Sequence, residues 1–310
     1  SLHTQSVDLS HSPEATAAIL GPAMEDEAAW RGRTCNVARL RECSTGSMQA
    51  GHAIQGLYTV TGGLGGLGLR AATLLIDSGA RCVLLASRSG RVVRDGQGLE
   101  TQLQALGSAG KVVACDSADA CDVKALICPH LPSGVLHAAG AGDKGLLSEL
   151  AARRVGWLQA SKALGAWHVH CVSAARPLET LVLFSSVGSG LGNIGQANYA
   201  AANACLDAQA LSRRAEGAAA CSLQWPLVGG AGMGAAAFAA VRERQVSIAG
   251  MEGISLEEYA MCLGASIASH GGSVLSVRLV HRSSVHELVR DLADPRKDSF
   301  SELVRMVAPA

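Results

Sequence analysis

Aromatic residues are scarce: Phe, Tyr and Trp together make up 3% of 310 residues. That argues against a nucleic-acid surface built from base-stacking platforms. Charge of either sign is also missing in excess, with 26 Lys+Arg against 26 Asp+Glu. Without a basic field, nucleic acid and anionic membrane lose weight as partners. No apolar run reaches the roughly 18 residues that a bilayer span needs. The first thirty residues show no basic start followed by an apolar core, so no signal peptide is read. The chain opens on Ser1 rather than Met, as a piece of something longer or a processed chain would. Ten cysteines occur, but no C-x-x-C pair. Cys82 and Cys221 stand in apolar runs and read as small core residues. The spacing of Cys115, Cys121, Cys128 and His130 fits no zinc pattern, so no metal is expected. Reduced thiols suit an intracellular, cytoplasmic setting.

What is present is a rhythm. Short apolar, β-rich runs lie at 57–60, 81–87, 111–115, 134–140, 180–186, 220–225 and 273–279. Helix-forming stretches lie between most of them, as at 66–78, 98–109, 148–170 and 197–216. Strands apolar along their whole length belong to a parallel sheet covered on both faces. Their alternation with helices predicts a doubly wound α/β fold of Rossmann-like type. Residues 1–56 do not join the rhythm and are expected to be an appendage or linker, with one helix-like piece after Ser12-Pro13. The rhythmic domain is expected over 57–285, and 286–310 reads as a C-terminal helix or linker.

The first strand runs into "TGGLGGLG", Thr61, Gly62, Gly63, Leu64, Gly65, Gly66, Leu67 and Gly68, and a helix follows. Glycines there let backbone N–H groups approach a pyrophosphate, and the helix N-terminus favours its charge. In a strand–turn–helix setting this is a dinucleotide signature. An NAD site normally closes the second strand with an acid that holds the ribose hydroxyl. Here Ser87-Arg88 stands instead, and a guanidinium suits a 2′-phosphate, so NADPH is the expected cofactor. Asp116, after the third strand, is placed near the adenine. Ala138, Ala139 and Gly140, after the fourth, are placed near the nicotinamide ribose.

Tyr199 stands in an alanine-rich helical run with Asn203 one turn on, on the same face. A tyrosine acid wants a cation nearby, and position 203 offers none. Only five lysines exist, at 111, 124, 144, 162 and 297. Of these, only Lys162 lies in a long apolar helix, which the architecture would pack beside the helix of Tyr199.

Taken together, "TGGLGGLG", "LLASRSG", "LHAAGAGD", "KALGAWHVH", "LFSSVGSGLGNIGQANYAAANACLDA" and "LQWP" resemble the ketoreductase domain of a type I polyketide synthase, within the short-chain dehydrogenase/reductase superfamily. The likeness runs from about residue 57 to 226, and "WRGRTCNVARL" before it resembles the end of a structural subdomain. The resemblance implies a rearranged site in which Lys162 supplies the cation and Ser186, Tyr199 and Asn203 complete the set. It implies hydride transfer from NADPH to the β-ketone of an acyl chain carried by an acyl carrier protein domain, elsewhere in the same synthase. Tyr199 is then the acid, Ser186 a hydrogen-bond donor to the ketone oxygen, and Asn203 a support for Lys162 or a relay water. Lys162 and Tyr199 also touch the cofactor. A tyrosine pKa of about 10 is high for this task, and lowering it by about two units corresponds to roughly 2.7 kcal/mol.

The resemblance has gaps. Leu191 stands where one stereochemical class carries tryptophan, and Gly142-Asp143-Lys144 where the other carries Leu-Asp-Asp, so product configuration stays open. After the sixth strand the chain reads Gln224-Trp225-Pro226-Leu227, an altered entry to a lid expected over 228–244, with Met233 at its start. A competing reading is a catalytically silent structural or docking domain of a synthase. A free-standing alcohol dehydrogenase would require Tyr-x-x-x-Lys, which is lacking.

Overall fold

Alternation decides the architecture. In the run Cys82–Ser87, Val83 and Leu85 join one buried cluster, while Leu84 and Ala86 join another. In Thr180–Ser186, Val182 and Phe184 fall in the first cluster and Leu181 and Leu183 in the second. Successive strand side chains point to opposite faces. Two apolar clusters therefore mean a sheet whose inner strands are buried on both sides, as the continuous apolar runs predict, whereas the run near 111–115 forms a largely exposed edge strand, Gly110–Ala114.

The computed structural model describes residues 6–9, 27–31, 34–37, 39, 54–93, 98–143, 145–174, 176–191, 195–230, 253–268 and 277–279. The chain divides into two compact units, one of residues 1–44, 247–251 and 283–310, the other of residues 45–246 and 252–282. The first holds a three-stranded sheet in which β1 (Ser6–Leu9) runs parallel to β2 (Glu27–Arg31), and β3 (Thr34–Asn36) antiparallel to it. The helix-like piece expected after Ser12-Pro13 lies outside the described residues.

The second unit carries β4 (Leu57–Thr61), β5 (Cys82–Ser87), β6 (Gly110–Ala114), β7 (Gly134–His137), β8 (Thr180–Ser186), β9 (Cys221–Trp225) and β10 (Val277–Leu279). They form one seven-stranded sheet in the order β6-β5-β4-β7-β8-β9-β10, with every neighbouring pair parallel. This is the doubly wound order, and it reverses direction between β4 and β7. Its helices are α1 (Gly66–Asp77), α2 (Leu99–Ala105), α3 (Ala120–Ile127), α4 (Ala152–Gln159), α5 (Gly165–Ser173), α6 (Val187–Leu191), α7 (Ala197–Ala215) and α8 (Leu256–Ala268). Asp119 starts α3 by accepting from the Cys121 and Asp122 amides at 2.7 and 3.1 Å, an N-cap worth about 1 kcal/mol. No helix among the described residues is long and apolar enough to cross a membrane.

Two sequence expectations change in detail. The stretch 148–170 is not one regular helix, because Ala160–Leu164 between α4 and α5 is a π turn. Cys82 and Cys221 are half-buried rather than enclosed, since both open their strands.

Candidate active site

At the point where strand order reverses, the carboxyl ends of β4 and β7 leave the crevice in which doubly wound sheets place their ligands. Thr61 ends β4 and His137 ends β7, in register with each other. After Thr61 the chain turns at Gly62, whose φ of +68° favours glycine, and a Cβ there would come 2.7 Å from the backbone of Ala138. A Cβ at Gly68 would come 2.5 Å from the Gly62 carbonyl oxygen, so the turn and α1 close on each other only without side chains. The Gly63 amide donates to the Ala86 carbonyl at 3.0 Å and the Gly65 amide to Gly62 at 3.0 Å. α1 then begins at Gly66 with no side-chain cap and no acid in its first turn. Uncapped amides at a helix N-terminus fit an anionic pyrophosphate.

The rest of the expected cofactor set stands along the same sheet edge. Ser87 ends β5, its hydroxyl accepting from the Gly90 amide at 3.1 Å, and Arg88 beside it is exposed. Asp116 follows β6, where its Oδ1 accepts from the Ala118 amide at 3.0 Å, so part of that carboxylate is spent on its own turn. Ala138 and Ala139 are half-buried after β7, and Gly140 is exposed.

The four expected catalytic residues arrive on three elements. Ser186 ends β8, and Lys162 lies in the π turn. Tyr199 and Asn203 lie on successive turns of α7. The Lys162 side chain is 3% exposed; its Nζ donates to the Phe184 carbonyl at 3.0 Å and stands 5.4 Å from the centre of the Tyr199 ring. Burial draws the Lys162 ammonium down to about 8, and the Asp207 charge opposes the fall. Its stem passes over Gly140, where a Cβ would come 2.8 Å from Lys162 Cε. Burial raises the Tyr199 phenol, against the pull of the Asn203 and Ser186 side chains. The sequence argument asks for a lowered tyrosine; here desolvation dominates and keeps the phenol protonated, which is the form that donates a proton. Asn203 donates to the Tyr199 carbonyl at 2.8 Å, while its buried Oδ1 has no partner. A buried acceptor left unpaired costs about 1–3 kcal/mol, so this atom is poised for a donor.

Three features escaped the sequence reading. Asp207, one more turn along α7, accepts from Ser189 Oγ at 2.6 Å, Ser222 Oγ at 2.5 Å and Gln224 Nε2 at 2.8 Å. It thereby ties α7 to β9 and to α6 after Ser186. The next i+4 step after Asn203 was the available signal. Asp143 pairs with Arg154 and accepts from Asn198 Nδ2 at 2.9 Å, which fastens the loop after β7 to the start of α7. Phe184, Trp225 and Tyr259 pack at tilted and edge-on angles with ring distances of 4.7–6.3 Å, and the Tyr259 hydroxyl donates to the Leu67 carbonyl at 2.8 Å, bracing the glycine turn against α8. Lys144, the Leu191 side chain and the lid beyond Gly230 lie outside the described residues. The altered entry is described: past Pro226, Val228 bridges to Ile254, and the Gly229 amide donates to the Ile254 carbonyl at 2.9 Å.

A family model for the KR domain matches residues 56–230, more than half of the chain. The chain belongs to the ketoreductase domain family. The domain is that of type I polyketide synthases, within the short-chain dehydrogenase/reductase superfamily. It is 40% identical over 229 residues to the spectinabilin polyketide synthase system protein NorB of Streptomyces orinoci, covering 72% of this chain and 10% of that protein. It is 35% identical over 249 residues to the mycoketide-CoA synthase of Mycobacterium tuberculosis, covering 77% of this chain and 6% of that one. Among solved structures, an A1-type ketoreductase superposes with a TM-score of 0.81 at 27% identity, covering 98% of this chain and 66% of that one. The first ketoreductase of the tylosin synthase superposes with 0.77 at 28%, covering 98% and 67%. The chain therefore spans a tenth or less of the length of these two synthases and about two thirds of these solved ketoreductases.

Proposed function

We propose that this ketoreductase domain is an active NADPH-dependent β-ketoacyl reductase. Its substrate in this reading is a β-ketoacyl thioester on the arm of an acyl carrier protein domain of the same cytoplasmic synthase. The observation that carries the reading is the convergence of Lys162, Ser186, Tyr199 and Asn203 beside an uncapped glycine-rich turn. In this reading residues 57–285 are the reductase domain, 1–56 an appendage or linker that ends a preceding structural subdomain, and 286–310 a C-terminal helix or linker.

Thr61 to Gly68 would receive the pyrophosphate, with Ser87, Arg88, Asp116 and Ala138 to Gly140 along the rest of the cofactor. The cofactor, when bound, supplies the hydride. Ser186 orients the ketone oxygen and stabilises the charge that develops on it. Tyr199 gives its proton to that oxygen. Lys162, charged below about 8, offsets the phenolate left behind and binds the ribose hydroxyls. Asn203 Oδ1 accepts from a relay water or from Lys162 itself.

Purified chain, a short β-ketoacyl thioester and NADPH test this directly. Turnover should exceed that with NADH, and Tyr199→Phe should lower kcat by about 10²- to 10⁴-fold, the range of a general acid. NADPH binding without turnover would instead assign the silent, structural role.

A further inference from the structure

His137 has no part in the chemistry above, yet it is fully enclosed at the centre of the site, with 0% of its surface exposed. Each ring nitrogen has a close polar partner, and the Ser161 backbone is a further hydrogen-bonding group beside the ring. Nε2 stands 3.0 Å from the Lys162 carbonyl and Nδ1 stands 2.7 Å from Thr61 Oγ1. A carbonyl can only accept, so the proton is on Nε2, and Nδ1 must accept from the Thr61 hydroxyl. Burial, with Lys162 adding its charge, draws the imidazole down to about 4, so one neutral tautomer is held at working pH. The ring lies where the helix departs from α geometry. A Cβ at Gly165 would come 2.9 Å from His137 Cε1, and the π turn ends at Leu164, one residue before it. π turns inside helices mark local departures that reposition functional side chains.

We propose that neutral His137 is a positioning residue that couples the glycine-rich turn to the site's cation. Its ring is a spacer of fixed length. At one end it holds the first residue of the cofactor turn. At the other it holds the peptide carbonyl of the residue whose ammonium sits over Tyr199. Moving that carbonyl moves the Lys162 stem between Gly140 and the Phe184 carbonyl, where there is little slack. The effect on turnover rests on the reductase reading; the effect on Lys162 does not.

Two variants separate the two ends. His137→Asn keeps an amide near Thr61 but is too short for the Lys162 carbonyl. His137→Gln carries an N–H about as far as Nε2 does. Because only five lysines exist, side-chain carbon labelling resolves the Lys162 titration, assigned with Lys162→Arg. The wild type should titrate near 8. His137→Asn should displace that midpoint and lower kcat by about tenfold to a hundredfold, with the NADPH dissociation constant changed by less than about threefold. His137→Gln should restore both. Wild-type values in a folded His137→Asn chain, or equal losses in both variants, would overturn the proposal. Should neither variant fold, nitrogen NMR of wild-type histidine decides. Protonated Nε2 with bare Nδ1 from about pH 5 to about pH 9 is the expected result, and any other tautomer or a charged ring overturns it. A wild type that binds NADPH without turnover would sink the reductase reading, while the Lys162 titration and the His137 tautomer would still decide this one.

Discussion

Two helical segments deliver the candidate site, and they do so by opposite means. α7 is regular for 19 residues, and its own period stacks Tyr199, Asn203 and Asp207 at intervals of four. The segment from α4 to α5 breaks its period at Ala160–Leu164, and Lys162 is inside the break. The tyrosine is placed by local geometry, which any helix supplies. The lysine is placed by outside contacts, namely His137 on its carbonyl, Phe184 on its ammonium and the bare faces of Gly140 and Gly165. A side chain placed by its neighbours should be more fragile in function than in stability.

Lys162→Met is the hardest test of that difference. Methionine fills a similar volume without a charge, and an enclosed ammonium is costly to bury. The thermal midpoint should hold or rise, while kcat falls by about 100-fold or more. Activity surviving in a stable Met variant would show that α7 alone suffices.

The second effect lies in the pH dependence of folding. His137 is held near 4 in the folded chain against about 6.5 when unfolded. Above about 6.5 the ring is neutral in both states and its contribution is fully present. As pH falls toward 4 the unfolded chain takes up a proton that the folded chain refuses, and stability is lost. The loss across that window is on the order of 3 kcal/mol. Denaturant titrations at stepped pH should show it in the wild type, and His137→Gln should flatten it.

The same contrast explains what could be read from sequence. Strands buried on both faces announce themselves as continuous apolar runs, so the sheet and its glycine turn were legible. Tyr199 and Asn203 were legible because a helix repeats every 3.6 residues. Lys162 stood out as the one lysine in a long apolar helix and took its role from the family resemblance, but the π turn carrying it was invisible, because "ASKALG" is ordinary helix-forming sequence. His137 was hidden by its setting: inside "VLHAAG" it passes as the end of a strand, and only the structure shows partners on two other elements. Asp143 drew notice as a departure from the family pattern, but its grip on Asn198 is a tertiary contact across 55 positions.

Asp207→Asn probes the regular helix with a smaller perturbation. The amide oxygen can keep Ser189 and Gln224, and the Ser222 hydroxyl can turn to accept from the new N–H. The fold should survive and the charge be lost. Asp207 raises the Lys162 ammonium, so removing its charge lets the midpoint fall further below about 8. Of the titratable groups acting on that ammonium, His137 stays neutral and Tyr199 protonated, so the alkaline limb of kcat should move to lower pH. Turnover should drop a few-fold near the wild-type midpoint and hardly change in mild acid.

The smallest effect belongs to Asp143→Asn. The Asp143 side chain is 8% exposed, but its partner Arg154 is 40% exposed and can turn to water. Screening reduces such a pair to about 1 kcal/mol or less. The amide oxygen still accepts from Asn198, so the loop after β7 stays fastened to α7. Chemical denaturation should register a shift below about 1 kcal/mol, with kcat held within about twofold. A loss of several kcal/mol would mean that the start of α7 is held by this loop rather than by its own turns. Tyr199 would then depend on distant contacts as much as Lys162 does, and the difference between the two segments would disappear.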